Sequence, residues 1–514
     1  MKWSVGKIST VVDQQPAHCE IPPFSYPIGP TDRTRGATTP MQVLKLLLTT
    51  VILENIVQQT KLFACQRGAN FQFCIEELLA FIAINIAMGL LRLPELRDYW
   101  CRNEIIATPW FASIMSRDRF LLILRYLHLN DSSQQKKPGE VGHDPLYKVR
   151  PLLDHLSAVF PLYYQPSQNL SIDEMMIGTR CRVSFLQFLP KKPTRFGIKV
   201  WVNAEASTGY TLGLQVYTGA EEGSSGKMGL GYRVVMALME LYQQKNHCLY
   251  IDNFYTSPQL LLDLLDKGIY CTGTVRTNRT GFPVSLIPPT KSMNPGTYRF
   301  ATACGNKLTA VWWRDRRDVF MMSTVHKKSV QYVMKRPKGS HEKQPMPCPI
   351  MIAEYNNSMG GIDLTDQQLS YYSMTTRKTL KWWKKVFWRL VDICIVNSWI
   401  IFRTNFPDSP ISSHKAFRLH LITELVQPLL ELKASPSCPA YLKTKKGRKT
   451  VSSETRLTGK HFSYKNPKRQ RCIVCSYKKK DQKTQNYCPK CKVHVCLGKC
   501  FELYHTQTNY KQPV

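Results

Sequence analysis

Long apolar runs are missing from this sequence. The longest, LLAFIAINIAMGLL (78–91), has 14 residues and contains Asn85. That is short of the ~20 residues needed to cross a bilayer, so no membrane role is expected. Acidic residues are scarce: 36 Asp and Glu against 70 Lys and Arg leave a net charge of +34. A surplus of that size concerns partners rather than fold. It points to a polyphosphate, because each neutralised phosphate releases counterions. The opening MKWSVGKISTVVDQQ lacks the apolar core of a secretory leader. Nor do the 17 cysteines make a regular framework, since eleven are scattered over 1–471 and six crowd into 472–500. Scatter goes with a reducing compartment, nucleus or cytosol, and a terminal crowd with metal. No internal repeat is visible.

Residues 1–40 hold six prolines and little periodicity, which predicts a disordered lead-in. From Met41 the pattern turns helical, with Leu44, Leu47, Leu48, Val51, Ile52 and Ile56 at helical spacing, and helices are expected across 41–169. From 170 the period changes. NLSIDEMM, RFGIKVWVNAE and YTLGLQVYTG read as strands, YRVVMALMELYQQ as helix, CLYID as strand, SPQLLLDLLDKG as helix and IYCTGTV as strand. That βββαβαβ order over 170–285 is interrupted by a β-rich insertion (286–348) and completed by SMGGIDLTDQQLSYY within 349–372. Apolar helices return over 373–440, a basic linker follows (441–460), and a cysteine-rich segment occupies 461–506.

Three acidic positions stand where packing does not ask for charge. Asp173 is in the first strand, Asp252 ends the fourth, and Asp363 opens the helix after the insertion, with Asp366 one turn on. First and fourth strands of such a sheet are commonly neighbours. Carboxylates that converge repel one another unless a cation sits among them, and hard oxygen ligands suit Mg2+ or Mn2+. Plainer roles are available too: Asp252 can serve the following helix start, Asp363 can be an N-cap, and Glu174 can replace Asp173 as ligand.

Near the C-terminus stand Cys472-x-x-Cys475 and Cys488-x-x-Cys491, then Cys496, Cys500 and His505. Paired knuckles of this spacing are zinc signals. Seven ligands are one short of two Zn2+, and His494 or His461 can be the eighth. TTRKTLKWWKKVFWR (375–389) mixes six cations, among them Arg377, Lys378 and Lys381, with three tryptophans. One face is expected in the core and the cations on phosphates. KTKKGRK (443–449) and KNPKRQR (465–471) suit nuclear import or DNA-backbone binding. Lys199 and Arg276 fall near the strand ends, where a scissile phosphate would lie.

Taken in order, SIDEMM, FLPKKPTRFGIKVWV, STGY, YIDNFYTS, GTVRTNR, YNNSMGGIDLTDQ, KWWKKVFW and CFELYHT closely resemble the piggyBac family of DNA transposases, from about residue 29 to 506. The resemblance implies an α/β fold: an RNase H-like (DDE/D-type) catalytic domain with a β-rich insertion. It also implies a split helical domain for dimerisation and DNA binding, and a C-terminal cross-brace zinc domain that binds transposon ends. Asp173, Asp252 and Asp363 match the family's catalytic aspartates, and Asp366 a fourth that is also needed. A tryptophan matching Trp382 lies near hairpin DNA. The implied chemistry is cut-and-paste: cleavage at the transposon end, a hairpin intermediate, and joining to a TTAA target by a homodimer in the nucleus. A host-adopted binder that no longer cuts is the competing expectation.

Overall fold

The computed structural model describes residues 1–10, 21–190, 192, 194–219, 228–288, 293–336, 341–442, 456–477 and 480–510. The chain forms two compact units, Met1–Ser435 and Pro436–Val514. The basic run 443–449 lies outside the described residues.

In the first unit, helices far apart in sequence share one core. Ile75–Leu90 is apolar nearly all round and is buried on nearly every side, as an enclosed helix must be. His414–Ala434 packs along it. The polar side chain buried in Ile75–Leu90, Asn85, donates to the Phe81 carbonyl at 2.7 Å. Pro40–Leu47 begins with a capping box between Thr39 and Gln42. The same N-terminus is tied to Glu424, which accepts from Thr39 Oγ1 (3.0 Å) and Met41 N (2.6 Å). Trp382–Asn405 runs through this cluster and also contacts Gly361–Tyr371, and both it and Arg150–Tyr163 pack against strands of the central sheet. Among the described residues no single helix is long and apolar enough to cross a membrane.

The sheet is built from β1 (Trp3–Val5), β2 (Asn169–Gly178), β3 (Leu186–Phe188), β4 (Phe196–Glu205), β5 (Thr211–Val216), β6 (His247–Ile251), β7 (Ile269–Thr274), β8 (Tyr298–Ala303), β9 (Leu308–Arg314) and β10 (Asp318–Ser323). Its order is β1-β8-β9-β10-β7-β6-β2-β4-β3, with β5 also paired to β4. β2 is antiparallel to β4 and parallel to β6, and β6 is parallel to β7.

The strands of 286–348 join the central sheet: β10 pairs antiparallel with β7, and three inserted strands prolong it. The hairpin β11 (Val330–Lys335) and β12 (Gln344–Pro349) forms a two-stranded sheet of its own. It too shares a core, with Trp313 donating to the Pro347 carbonyl at 2.8 Å. One expectation changes here: the lead-in, predicted to be disordered over 1–40, is partly structured. β1 adds an edge strand to β8, Trp3 Nε1 reaches the Gly281 carbonyl at 2.9 Å, and Gly29–Pro30 pairs with Tyr164–Gln165.

In the second unit a short three-stranded sheet (Tyr464–Arg471, Lys483–Cys488, Val493–His494) and two helices (Ile473–Tyr477, Lys499–Thr506) surround the cysteines. Arg456, assigned from sequence to the basic linker, is instead buried here. It donates to the carbonyls of Tyr504, Gln507 (2.6 Å) and Thr508 (2.9 Å), closing the end of the last helix. The fold of this unit therefore includes Arg456, not merely residues from 461 onward.

Candidate active site and metal centres

Strand register brings the first two aspartates together. Ser171 pairs with Tyr250 and Ile172 with Ile251 in the parallel β2–β6 ladder. Asp173, midway along β2, and Asp252, just past the carboxyl end of β6, occupy the next step of these two neighbouring strands. The helix Gly361–Tyr371 lies across β2 and is fitted there by a glycine. A Cβ on Gly361 would stand 2.5 Å from Ser171 Oγ and 2.8 Å from the Glu205 carbonyl. Thr365 fixes the rotation by donating to the Gly209 carbonyl at 2.6 Å. Asp363 is thereby exposed in the first turn and Asp366 half-buried one turn later.

The plainer roles for these acids are filled by other groups. Ser257 caps the helix Pro258–Asp266 by accepting from Leu260 N. The helix carrying Asp363 has Gly360 at its N-cap. Asp252 is held in one orientation, accepting from Asn253 N (2.6 Å) and Thr274 Oγ1 (2.8 Å). Glu174 pairs with Lys199 at 3.4 Å. Strand alternation turns the side chains of residues 173 and 174 to opposite faces, and Lys199 lies over the Trp201 and Phe254 rings on Glu174's side.

Electrostatics show the acids acting on one another. Burial raises the Asp173 carboxyl to about 6; Lys192 opposes the shift and the charges of Glu174 and Asp252 add to it. Asp366 is raised by burial, with Arg389 and Lys192 opposing and Asp363 adding. The buried Tyr355 phenol, raised first by its burial, feels Asp252, Asp173 and Asp363 alike. Tyr255, raised in the same way, feels Asp173, Glu174 and Asp252, and its hydroxyl is buried with no hydrogen-bond partner among the described residues. Lys192 stands in the middle, 3.8 Å from Asp173 Oδ2 and 4.0 Å from Glu174 Oε1. Hard oxygen donors beside an ammonium and a raised carboxyl are a donor set that fits a divalent cation. The ligand atoms of Asp173, Asp252 and Asp363 are not among the groups drawn within 4.8 Å of one another; among the described residues those groups are two, both in the second unit.

Those two groups are Cys472, Cys475, Cys496 and Cys500, and His461, Cys488, Cys491 and His505. Their members alternate along the chain, so each set clasps the other's loop. The open choice of eighth ligand falls on His461, whose Nδ1 is 3.5 Å from both Cys488 Sγ and Cys491 Sγ. His494 lies outside both sets, its ring 5.0 Å from that of Tyr487 and tilted by 51°. His505 bonds the Phe501 carbonyl through Nδ1 (2.9 Å), leaving Nε2 buried and without a partner among the described residues. That is the arrangement of a metal-ligating imidazole. A tetrad of four thiolates and a tetrad of two thiolates with two imidazoles both fit zinc.

The basic residues divide. Lys378 and Lys381 are exposed, and Trp382 is half-buried with its ring edge-on to Phe185 at 5.2 Å. Arg276 is exposed, its Nε on Asn253 Oδ1 at 2.9 Å, next to Asp252. Lys199 is mostly buried and neutralises Glu174. Arg377 is a correction: its guanidinium turns inward to the Met88 sulfur, and burial lowers its pKa to about 10. The cations expected opposite the tryptophans also point inward. Lys384 and Lys385 are buried beside Trp383, donating to the carbonyls of Leu124 and of Thr375 and Arg377. The exposed strand Tyr464–Arg471 keeps its cations in solvent. Sequence reasoning passed over Lys192, Tyr255, Tyr355 and Thr274. Lys192 and Tyr255 lie inside the quoted FLPKKPTRFG and YIDNFYTS, where the doubled lysine and the second aromatic were the available signals.

Comparison with known proteins agrees with this layout. The family described as Transposase IS4 matches residues 39–399. Human PiggyBac transposable element-derived protein 3 is 28% identical over 491 residues, covering 93% of this chain and 78% of the relative. Human PiggyBac transposable element-derived protein 2 is 25% identical over 447 residues, covering 85% and 72%. A piggyBac transposase in a synaptic complex with hairpin DNA, solved by cryo-EM, superposes with a TM-score of 0.71 at 24% identity, over 92% of this chain and 98% of that one, and shows the fold. The chain belongs to the piggyBac family of transposases.

Proposed function

We propose that this chain is a DDE/D-type DNA transposase with an RNase H-like catalytic domain, cutting and rejoining duplex DNA at TTAA sites. The observation that carries it is that Asp173 in β2 and Asp252 just past β6 stand at the next register step of two parallel neighbouring strands, with the helix that carries Asp363 and Asp366 packed against β2. Asp173, Asp252 and Asp363 would hold Mg2+ or Mn2+. Such ions, when bound, activate an attacking oxygen and stabilise a leaving one in phosphodiester displacement.

The protein's own groups do the positioning. Thr274 and the Asn253 N–H fix the Asp252 carboxylate. Lys192 balances charge beside Asp173, and Arg276 and Lys199 supply positive charge around the acids. Lys378, Lys381 and the exposed strand Tyr464–Arg471 offer cations to the DNA backbone. Two zinc ions would hold the second unit together, and a homodimer in the nucleus suits an enzyme that pairs two ends. The human relatives are named as element-derived proteins, which favours one alternative, a DNA-binding protein that no longer cuts.

The test uses DNA carrying the element's own ends flanked by TTAA. Wild type is expected to nick it only with Mg2+ or Mn2+, and Asp252→Ala to bind the ends without nicking. Wild-type protein that binds the ends but never nicks them establishes the alternative.

A further inference from the structure

The hairpin that delivers Lys192 to Asp173 also carries a cleft that strand cleavage does not use. It measures about 520 Å³ and is lined by Gly178, Thr179, Arg180, Phe188, Arg195 and Phe196. Phe188 and Phe196 face each other across the β3–β4 ladder. Their ring centroids are 4.6 Å apart at 32°, yet the two residues remain 53% and 41% exposed. Leaving two phenylalanines open to water forgoes the burial that ordinarily holds such rings in a core. Arg180 stands over the Phe196 ring at 5.4 Å. Gly178 contributes no side chain to the cleft wall. Residues 178–196 contain five cations (Arg180, Arg182, Lys191, Lys192, Arg195) and no acid.

We infer that this cleft binds one unstacked nucleobase of the DNA strand being processed, its ring on Phe188 and Phe196 and its phosphate on Arg180 and Arg195. The inference rests on the transposase reading and adds a subsite to it. Aromatic faces beside cations are how proteins hold single-stranded nucleic acid without reading its sequence. The cleft has room for a nucleoside but not for a duplex ~20 Å across, whose bases show no free ring face. The hairpin is anchored at two informative places: Lys192 reaches Asp173, and Phe185 meets the edge of Trp382. A base leaving the helix near the cut would find the cleft close by.

The experiment measures binding of the full chain to a labelled single-stranded oligonucleotide and to a fully paired duplex, by fluorescence anisotropy in EDTA. Phe188→Ala with Phe196→Ala is expected to weaken the single strand about tenfold and leave the duplex unchanged. Because the rings are exposed, the fold should survive; should it not, Phe188→Leu with Phe196→Leu keeps apolar bulk, removes the ring faces and carries the same expectation. Unchanged single-strand affinity overturns the proposal, as does an equal loss for both DNAs. Failure of the transposase reading looks different, because wild type then never nicks element ends whatever these variants do to oligonucleotide binding.

Discussion

Asp173→Asn is expected to make the metal-free protein more stable while ending its ability to cut DNA. Burial holds the Asp173 carboxyl at about 6, against 3.8 for a free aspartate, and the side chain is only 19% exposed. At about 1.36 kcal/mol per pH unit of displacement, the ionised carboxylate costs the fold up to about 3 kcal/mol. The sign follows from proton linkage. Below pH 4 the carboxyl is protonated folded or unfolded and costs nothing. Between 4 and 6 the unfolded chain ionises first, so stability falls as pH rises, and above 6 the full cost is present. Asparagine keeps the shape and cannot ionise, so the variant should gain on wild type across that window and hold the gain at pH 7.5. Spread over a unit of this size the gain is about 3 °C in Tm, readable by scanning calorimetry in EDTA from pH 4 to 8. Adding Mg2+ should narrow the gap by stabilising wild type alone. An Asp173→Asn protein that melts at or below wild type at pH 7.5 in EDTA refutes the claim that this carboxylate is held against its packing.

Two further outcomes test other parts of the structure. Purified protein should contain two zinc ions per chain by elemental analysis; His461→Ala should reduce this to one, while His494→Ala leaves two, since only His461 lies beside Cys488 and Cys491. Gly89→Ala should lower stability by about 1–3 kcal/mol despite alanine's better helix propensity. A Cβ there would fall well inside contact distance of the Tyr372 carbonyl oxygen, and an unchanged Tm would mean that the 372–373 segment yields freely.

Local pattern reported elements well and partners poorly. The run 78–91, apolar but for Asn85, reads as an enclosed helix, and the strand–helix alternation of 247–274 follows from Ser257-Pro258 and Gly268 as start and stop signals. The strands of 286–348 were legible too. Nothing in a two-residue period says which edge a strand joins, and β10 joins β7 through pairing between Met321–Ser323 and Thr272–Thr274. β1 is three residues long, below what any periodicity detects. Lys384 and Lys385 were misplaced for another reason. Helical spacing sorts residues by the position of Cβ, but a lysine stem is long enough to pass through a core and leave its ammonium at a carbonyl cluster.

The acids were legible because each breaks a local rule. Asp252 follows five buried strand residues and caps nothing, since Ser257 does that. Asp363 sits inside a first turn already begun at Gly360. Sequence alone left helix capping open to both acids, and the caps at Ser257 and Gly360 close it. Lys192 broke no such rule. A lysine in a Pro-flanked loop reads as solvated surface, and only the folded hairpin shows its ammonium 3.8 Å from Asp173. The sequence thus announces groups placed at a cost, and conceals those that answer them from across the fold. Asp173 and Lys192 are one feature seen from both sides: burial imposes on the first a penalty that the second only partly relieves, and the remainder is what a divalent ion can offset.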